Sequence, residues 1–291
     1  LLGIVLDYYK SRNIMTGFIV IGIVIFILVL INVISLSMMK EPRLSHVNEH
    51  GKEMHGSLAR RYPKECIKED GILVEIKGAF SNRKFRKAFS VQMLYTLAFY
   101  IAIPFIASYQ INQLALPYTF IMLVSFVANL FRIYISPKLG HLADKYGMAK
   151  ILRYSLLALG LNLLTIAFTV PANAYPMQII SSLFSSTAWA FVGIGLFGLQ
   201  LDFYRIEKRM VWLTLTSSIN GVLGFIFSII GGLLLDFLEK HPLIIGETMI
   251  YPQQVLNFLG FIILLITVFY VRFGIENEKS ERNHNDGRVT L

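Results

Sequence analysis

Few side chains in this sequence have chemistry to offer, and they fall into three groups. The first is Arg132, three residues after Asn129 and inside a long apolar run. A guanidinium presents five N–H donors in a fixed fork and no acceptor, so it suits an anionic group in a wet cavity, or else it snorkels toward lipid phosphates. Both readings are open from sequence. The second group is the stretch Gly140-His-Leu-Ala-Asp144-Lys145-Tyr-Gly147-Met-Ala-Lys150. Its glycines permit a tight charged turn between two apolar runs, and Asp144 would lie near the amino end of the next helix, where a carboxylate is favoured. The third is Asp202-Phe-Tyr-Arg205-Ile-Glu207-Lys208-Arg209, where both signs of charge meet in a short turn. Such residues can pair, and they can equally be ordinary surface charges.

Nothing here resembles a catalytic constellation. No HExxH, GxSxG or acidic pair occurs, and the lone cysteine, Cys66, excludes an intrachain disulfide. His46, His50 and His55, with Glu49, Glu53 and Cys66, complete no metal-ligand pattern and read as a solvated linker. We expect neither an enzyme nor a cofactor.

The elements that position these groups are membrane helices. The chain has 291 residues, 55% hydrophobic and 15% charged, which is more apolar surface than a soluble domain buries. Seven continuous apolar runs, at about 14–38, 88–110, 115–136, 150–170, 176–201, 211–236 and 253–273, are long enough to span the roughly 30 Å hydrocarbon layer as helices. The net charge of +9 is sorted by side. Segments 39–87, 137–149, 202–210 and 274–291 hold most of the lysine and arginine, while the opposite segments hold only Lys10, Arg12 and Lys240. The first set is therefore expected in the cytoplasm, with the C-terminus, and the positive charge implies no nucleic acid.

Other polar or small residues mark further expectations. Gln92 and Asn220 are candidates to line a solute cavity, and Trp189, near mid-membrane, is either a wall of that cavity or a packed ring. Pro104 is a flexing point in its span. Ser182, Ser186 and Ala190 form a small-residue stripe, and Gly224, Ser228 and Gly232 a second one at spacing four, both suited to close helix contact. Between Ile72 and Phe89, apolar residues alternate with Lys77, Arg83, Lys84, Arg86 and Lys87, which reads either as a helix lying among lipid headgroups or as a basic flank of the next span.

The pattern G-x-L-A-D-[basic]-x-G at Gly140 to Gly147 resembles the loop signature of the major facilitator superfamily of secondary transporters. The resemblance extends over the chain, with Lys145 where arginine is commoner and Met148-Ala149 where basic residues are frequent. Family members have two six-helix bundles. In addition, Leu2-Gly-Ile-Val-Leu-Asp-Tyr-Tyr9 reads like Gly231-Gly-Leu-Leu-Leu-Asp-Phe-Leu238. Residues 1–39 are accordingly expected to be the end of helix five and helix six, 40–87 a cytoplasmic central loop, 88–273 the C-terminal six-helix bundle and 274–291 a cytoplasmic tail, the N-terminal half being absent. The fold expected is thus an all-α membrane protein. The resemblance implies alternating-access transport of a small molecule across the plasma membrane, coupled to a proton or sodium ion, with lipids and the missing half as the other partners. It assigns Gly140, Asp144, Lys145 and Gly147 to a conformational latch, and Asp202, Arg205, Glu207 and Arg209 to a cytoplasmic gate. Arg132, Asn129, Trp189, Asn220 and Gln92 are left as cavity candidates. No acidic residue lies near the centre of a span in 88–273, so a coupling carboxylate is expected in the missing half. Efflux of amphiphilic compounds and carriage of a sugar or metabolite are both compatible, and a seven-helix receptor or scaffold, or a truncated carrier without function, is the alternative.

Overall fold

A computed structural model describes residues 2–10, 14–38, 72–205, 208–241, 243–245 and 248–276. The linker with His46, His50, His55 and Cys66, the residue Glu207 and the tail from 277 lie outside the described residues. The chain divides into two units, Leu1–Gly78 and Ala79–Leu291.

In the first unit, helix α1 (Leu2–Lys10) packs on α2 (Ile14–Ser37). Gly17 makes the approach close: a Cβ there would come within 2.9 Å of Tyr9 Cβ. Helix α3 (Ile72–Ser81) follows and straddles the division.

The second unit is helical. Helix α4 (Arg83–Ala102) starts where Asn82 Oδ1 accepts from the amides of Lys84 and Phe85, an ordinary N-cap. The basic cluster Arg83 to Lys87 therefore forms the first turns of this span and is not part of a separate interfacial helix; the N-cap at Asn82 ends the preceding element. At Pro104 the regular helix gives way to a 3-10 turn (Ile103–Phe105), a short α5 (Ile106–Ser108) and a π turn (Tyr109–Gln113). Proline removes an amide donor and its ring opposes the preceding turn, so the break falls where it was expected.

Helix α6 (Tyr118–Tyr146) is followed, after the single residue Gly147, by α7 (Met148–Ala167). The next apolar run is two helices, α8 (Ala174–Trp189) and α9 (Val192–Phe203), rather than one. Helix α10 (Arg209–Lys240) leads into a hairpin of β1 (Leu243–Ile245) and β2 (Thr248–Ile250), antiparallel with Ile244 opposite Met249. The sequence reading had only a loop there, although β-branched residues dominate both strands. Helix α11 (Pro252–Val271) ends in a π turn (Arg272–Glu276). Seven helical stretches among the described residues are long and apolar enough to cross a membrane, one in the first unit and six in the second.

Helix α7 is the axis of the second unit. Leu152, Leu156, Leu159 and Leu163, at spacings of four, three and four, are all buried and form one stripe. It packs against α8 and α11, while α4 packs against α10 and α11, and α6 lies on α8. At Gly260 three helices meet: an added Cβ would stand 2.9 Å from Leu163 and 3.1 Å from Ala102. One end of the bundle is sealed by rings, with Phe85 stacked on Phe89 and Tyr204 and edge-on to Trp212. Nearby, Arg153 pairs with Glu276 at 3.0 Å and Lys87 Nζ donates to the Gly274 carbonyl at 2.8 Å, tying α7 and α4 to the end of α11.

The close α10 seam differs from the expected one. Gly224 and Gly231 are the buried glycines, meeting Tyr100 and the backbone of Ile101, whereas Gly232 has only Phe105 at 3.9 Å. A helix turns 100° per residue, so 224 and 231 share a line more closely than 224 and 232 do.

Candidate functional site

Helices α6 and α8 enclose an open cavity of about 150 Å³. Ser125, Ala128, Asn129 and Arg132 line it from α6; the one-turn spacing of three and four residues places them on one face. Across from them stand Ser182, Ser185, Ser186 and Trp189 of α8. Three of the five cavity candidates, Arg132, Asn129 and Trp189, thus come together. The other two do not join them. Gln92 accepts from Gln200 Nε2 at 3.1 Å, joining α4 to α9, and Asn220 Oδ1 accepts from Thr96 Oγ1 at 3.4 Å, joining α10 to α4. Both are engaged in bonds between helices.

Arg132 is the fifteenth of the 29 residues of α6. Its Cα lies about 21 Å from the helix end at Tyr146, at 1.5 Å per residue, because α6 continues past the expected apolar run and through Gly140. Helical side chains lean toward the N-terminus, so Arg132 leans away from that nearer basic end and toward Ala128 and Asn129. A charge at such depth costs about 2.5–3.5 kcal/mol on insertion scales unless it faces water or a partner. Among the described residues Arg132 forms no hydrogen bond and no ion pair.

The polar atoms around it are unevenly committed. Asn129 Nδ2 donates to the Ser125 carbonyl at 2.8 Å, and Ser186 Oγ donates back to the Ser182 carbonyl. The hydroxyls of Ser125, Ser182 and Ser185 have no hydrogen-bond partner among the described residues. Sequence reasoning found Ser182 and Ser186 as a packing stripe and passed over Ser125 and Ser185. Their signal was a place on the same helical face as Asn129 and Trp189, three or four residues away.

A helix break follows directly after Trp189 of the lining. After Trp189 the backbone departs from helical geometry at Phe191 (φ −136°, ψ −25°). Ser136 Oγ of α6 donates to the Ala190 carbonyl at 3.1 Å, satisfying an acceptor that the broken ladder leaves open. Trp189 itself meets Phe99 edge-on with centroids 5.6 Å apart, which links the cavity wall to α4.

The signature segment is helix for most of its length. Gly140 sits within α6, with open space where a Cβ would be, and needs no glycine freedom there. Gly147 makes the turn by itself at φ +93°, a conformation that L side chains rarely adopt. Asp144 accordingly ends up in the last turn of α6 instead of the first turn of α7, because the chain reverses at one residue. It is exposed, caps no amide of α7, and forms no hydrogen bond or ion pair among the described residues. Lys145 and Lys150 stand 5.3 and 5.2 Å from the Tyr146 ring centre.

Of the charged turn, Asp202 is exposed at the end of α9 and Arg205 is exposed beyond it. Arg209 begins α10, half-buried, and its Nε is buried without a hydrogen-bond partner. Between them, Tyr204 hydrogen-bonds Thr216 at 2.7 Å, and burial pushes its phenol pKa up to about 12.

The family model described as Major Facilitator Superfamily matches residues 1–228. The chain belongs to the major facilitator superfamily. It is a multi-pass integral membrane protein and a membrane transporter, and the seven apolar helices agree with that membership. No curated protein and no solved structure matches the chain. The cavity between α6 and α8 therefore lies within a superfamily bundle, and its function has to be argued from its own residues.

Proposed function

We propose that the second unit is one six-helix half of a secondary active carrier in the plasma membrane, working with a second six-helix half by alternating access. A proton or sodium gradient drives it, and the C-terminus lies in the cytoplasm, in line with the side on which Lys and Arg collect. The α6/α8 cavity is its solute site. Gly140, Asp144, Lys145 and Gly147 act as a latch on the cytoplasmic surface, and Asp202, Arg205, Glu207 and Arg209 as a gate beside it.

The observation that supports this best is Arg132 at mid-helix, unpaired among the described residues and facing a cavity where the Ser125, Ser182 and Ser185 hydroxyls have no partner among them either. Such a set of groups is costly against lipid and useful against a polar solute. A helix break at the same depth gives the wall a place to move.

The test is two-sided access. In a carrier whose cysteines, Cys66 and any in the other half, are all replaced by serine, Ser185→Cys is the sole thiol, and a membrane-impermeant thiol reagent is applied to right-side-out and to inside-out vesicles. The reading expects modification from both sides. Protection from both, or reaction from one side only, would show that the cavity does not alternate.

A further inference from the structure

If the α6/α8 cavity is the solute site, its lining also restricts what the solute is, and this step rests on that reading. The lining has one permanent positive charge and no carboxylate. Asp144 is the only acidic residue in α6, twelve positions beyond Arg132, and α8 has none. The only charged group is a donor that accepts nothing: the guanidinium contributes five N–H groups, and the hydroxyls of Ser125, Ser182 and Ser185, without partners among the described residues, can donate beside it. Asn129 has its amide nitrogen engaged, which leaves its carbonyl oxygen as the one dedicated acceptor.

We infer that this cavity takes a small organic anion through its carboxylate, held by Arg132 with the Ser182 and Ser185 hydroxyls, its apolar body against the Trp189 ring. A planar carboxylate matches the guanidinium fork with two parallel hydrogen bonds. One arginine balances one negative charge, so a polyanion would leave charge unpaired in a low-dielectric place. A volume of about 150 Å³ accommodates a group of roughly six non-hydrogen atoms, enough for a carboxylate and a short apolar body. Trp189 provides an apolar wall, edge-on to Phe99, that a bare inorganic oxyanion would not use.

The same charge could be met by a phosphate, free or in a lipid headgroup, and the experiment separates these sources. The full-length carrier, in nanodiscs of phosphatidylcholine, is titrated with propionate and pyruvate, with the neutral isostere propionamide and with inorganic phosphate. Tryptophan emission and thermal stability are followed together. Of the two tryptophans in residues 1–291, Trp212 is only 3% exposed while Trp189 lines the cavity, and the part of the emission change lost in Trp189→Phe is the part that reports the cavity. We expect saturable changes with both carboxylates, none with propionamide and at least tenfold weaker ones with phosphate. Arg132→Gln weakens carboxylate binding at least tenfold, and Ser185→Ala, which is milder and does not threaten folding, weakens it about threefold. Trp189→Phe removes the emission change and retains the thermal shift. Equal responses to propionate and propionamide, phosphate binding as tight as propionate, or loss of the carboxylate response when phosphatidylglycerol is added would each overturn the inference, the last by showing that a lipid headgroup holds Arg132. If Ser185→Cys reacts from both sides while no carboxylate binds, the cavity remains a solute site and only the anion assignment falls.

Discussion

Two neighbouring glycines of α10 allow the packing of the bundle to be measured with an internal control. Replacing either Gly231 or Gly232 by alanine adds one methyl group and gains the same helix propensity, about 1 kcal/mol. The surroundings differ. At 231 the new Cβ would lie 3.0 Å from the Ile101 carbonyl oxygen, 3.2 Å from the Ile101 Cα and 3.0 Å from the Phe105 ring. The first two are backbone atoms of α4, which cannot rotate aside, so α10 must move away. At 232 the nearest atom is Phe105 Cζ at 3.9 Å, an ordinary contact. Overpacking of this kind costs about 1–3 kcal/mol. Subtracting the shared propensity gain leaves Gly231→Ala between neutral and about 2 kcal/mol less stable, and Gly232→Ala neutral or slightly more stable. The difference between the variants, about 1–3 kcal/mol, is the contact itself. For chains of this size each kcal/mol moves Tm by roughly 2–4 °C, so a thermal melt of the purified carrier should separate the pair by at least about 2 °C. Equal melting temperatures, or a lower one for Gly232→Ala, would refute the packing of α10 against α4.

Two further outcomes are expected. Asp144→Asn should leave thermal stability within about 0.5 kcal/mol of wild type, because the carboxylate is exposed and unpaired, while slowing turnover if Asp144 latches; transport rate against Tm in the same preparation checks both halves. Tyr204→Phe removes the 2.7 Å bond to Thr216 and should lower stability by about 1 kcal/mol. Since burial raises the folded phenol pKa to about 12, above its unfolded value near 10, the stability that goes with keeping Tyr204 neutral is complete below about pH 10 and lost as pH rises through 12. The wild-type and Tyr204→Phe melting temperatures should therefore keep a constant gap between about pH 6 and pH 9, which shrinks above about pH 10 and reverses in strong alkali, where only the wild type has a phenol to ionise.

Much of the fold was legible because a bilayer demands it. Seven apolar runs become seven helical spans, two of them interrupted, since backbone groups in lipid have to be satisfied within each segment. Breaks were legible only where a residue forces one. Pro104 announced its interruption, but the break at Ala190-Phe191 carries neither proline nor a glycine at the bend, and depends on Ser136 from another helix. The signature segment misled for a related reason: Gly140 suggested a turn, yet a single glycine at φ +93° suffices, and the charged residues before it continue α6. In the candidate site, Arg132 and Trp189 were visible because both are unusual at mid-membrane. Ser125 and Ser185 were not, since serine is common in membrane helices and only the pairing of α6 with α8 selects which hydroxyls meet. Gln92 and Asn220 looked equally polar, and their partners, Gln200 and Thr96, lie at separations of 108 and 124 residues that no local pattern reveals.

The central claim is that one face of α6 lines a water-filled cavity around Arg132 while the others do not. Single cysteines placed from Leu123 to Ile133 in a carrier otherwise free of cysteine, Cys66→Ser included, probed with a small hydrophilic thiol reagent, test it most directly. The account predicts rapid reaction at Ser125, Ala128, Asn129 and Arg132, and little at Leu123, Phe126, Leu130 and Ile133. Uniform reactivity, or reaction on the opposite face, would contradict it.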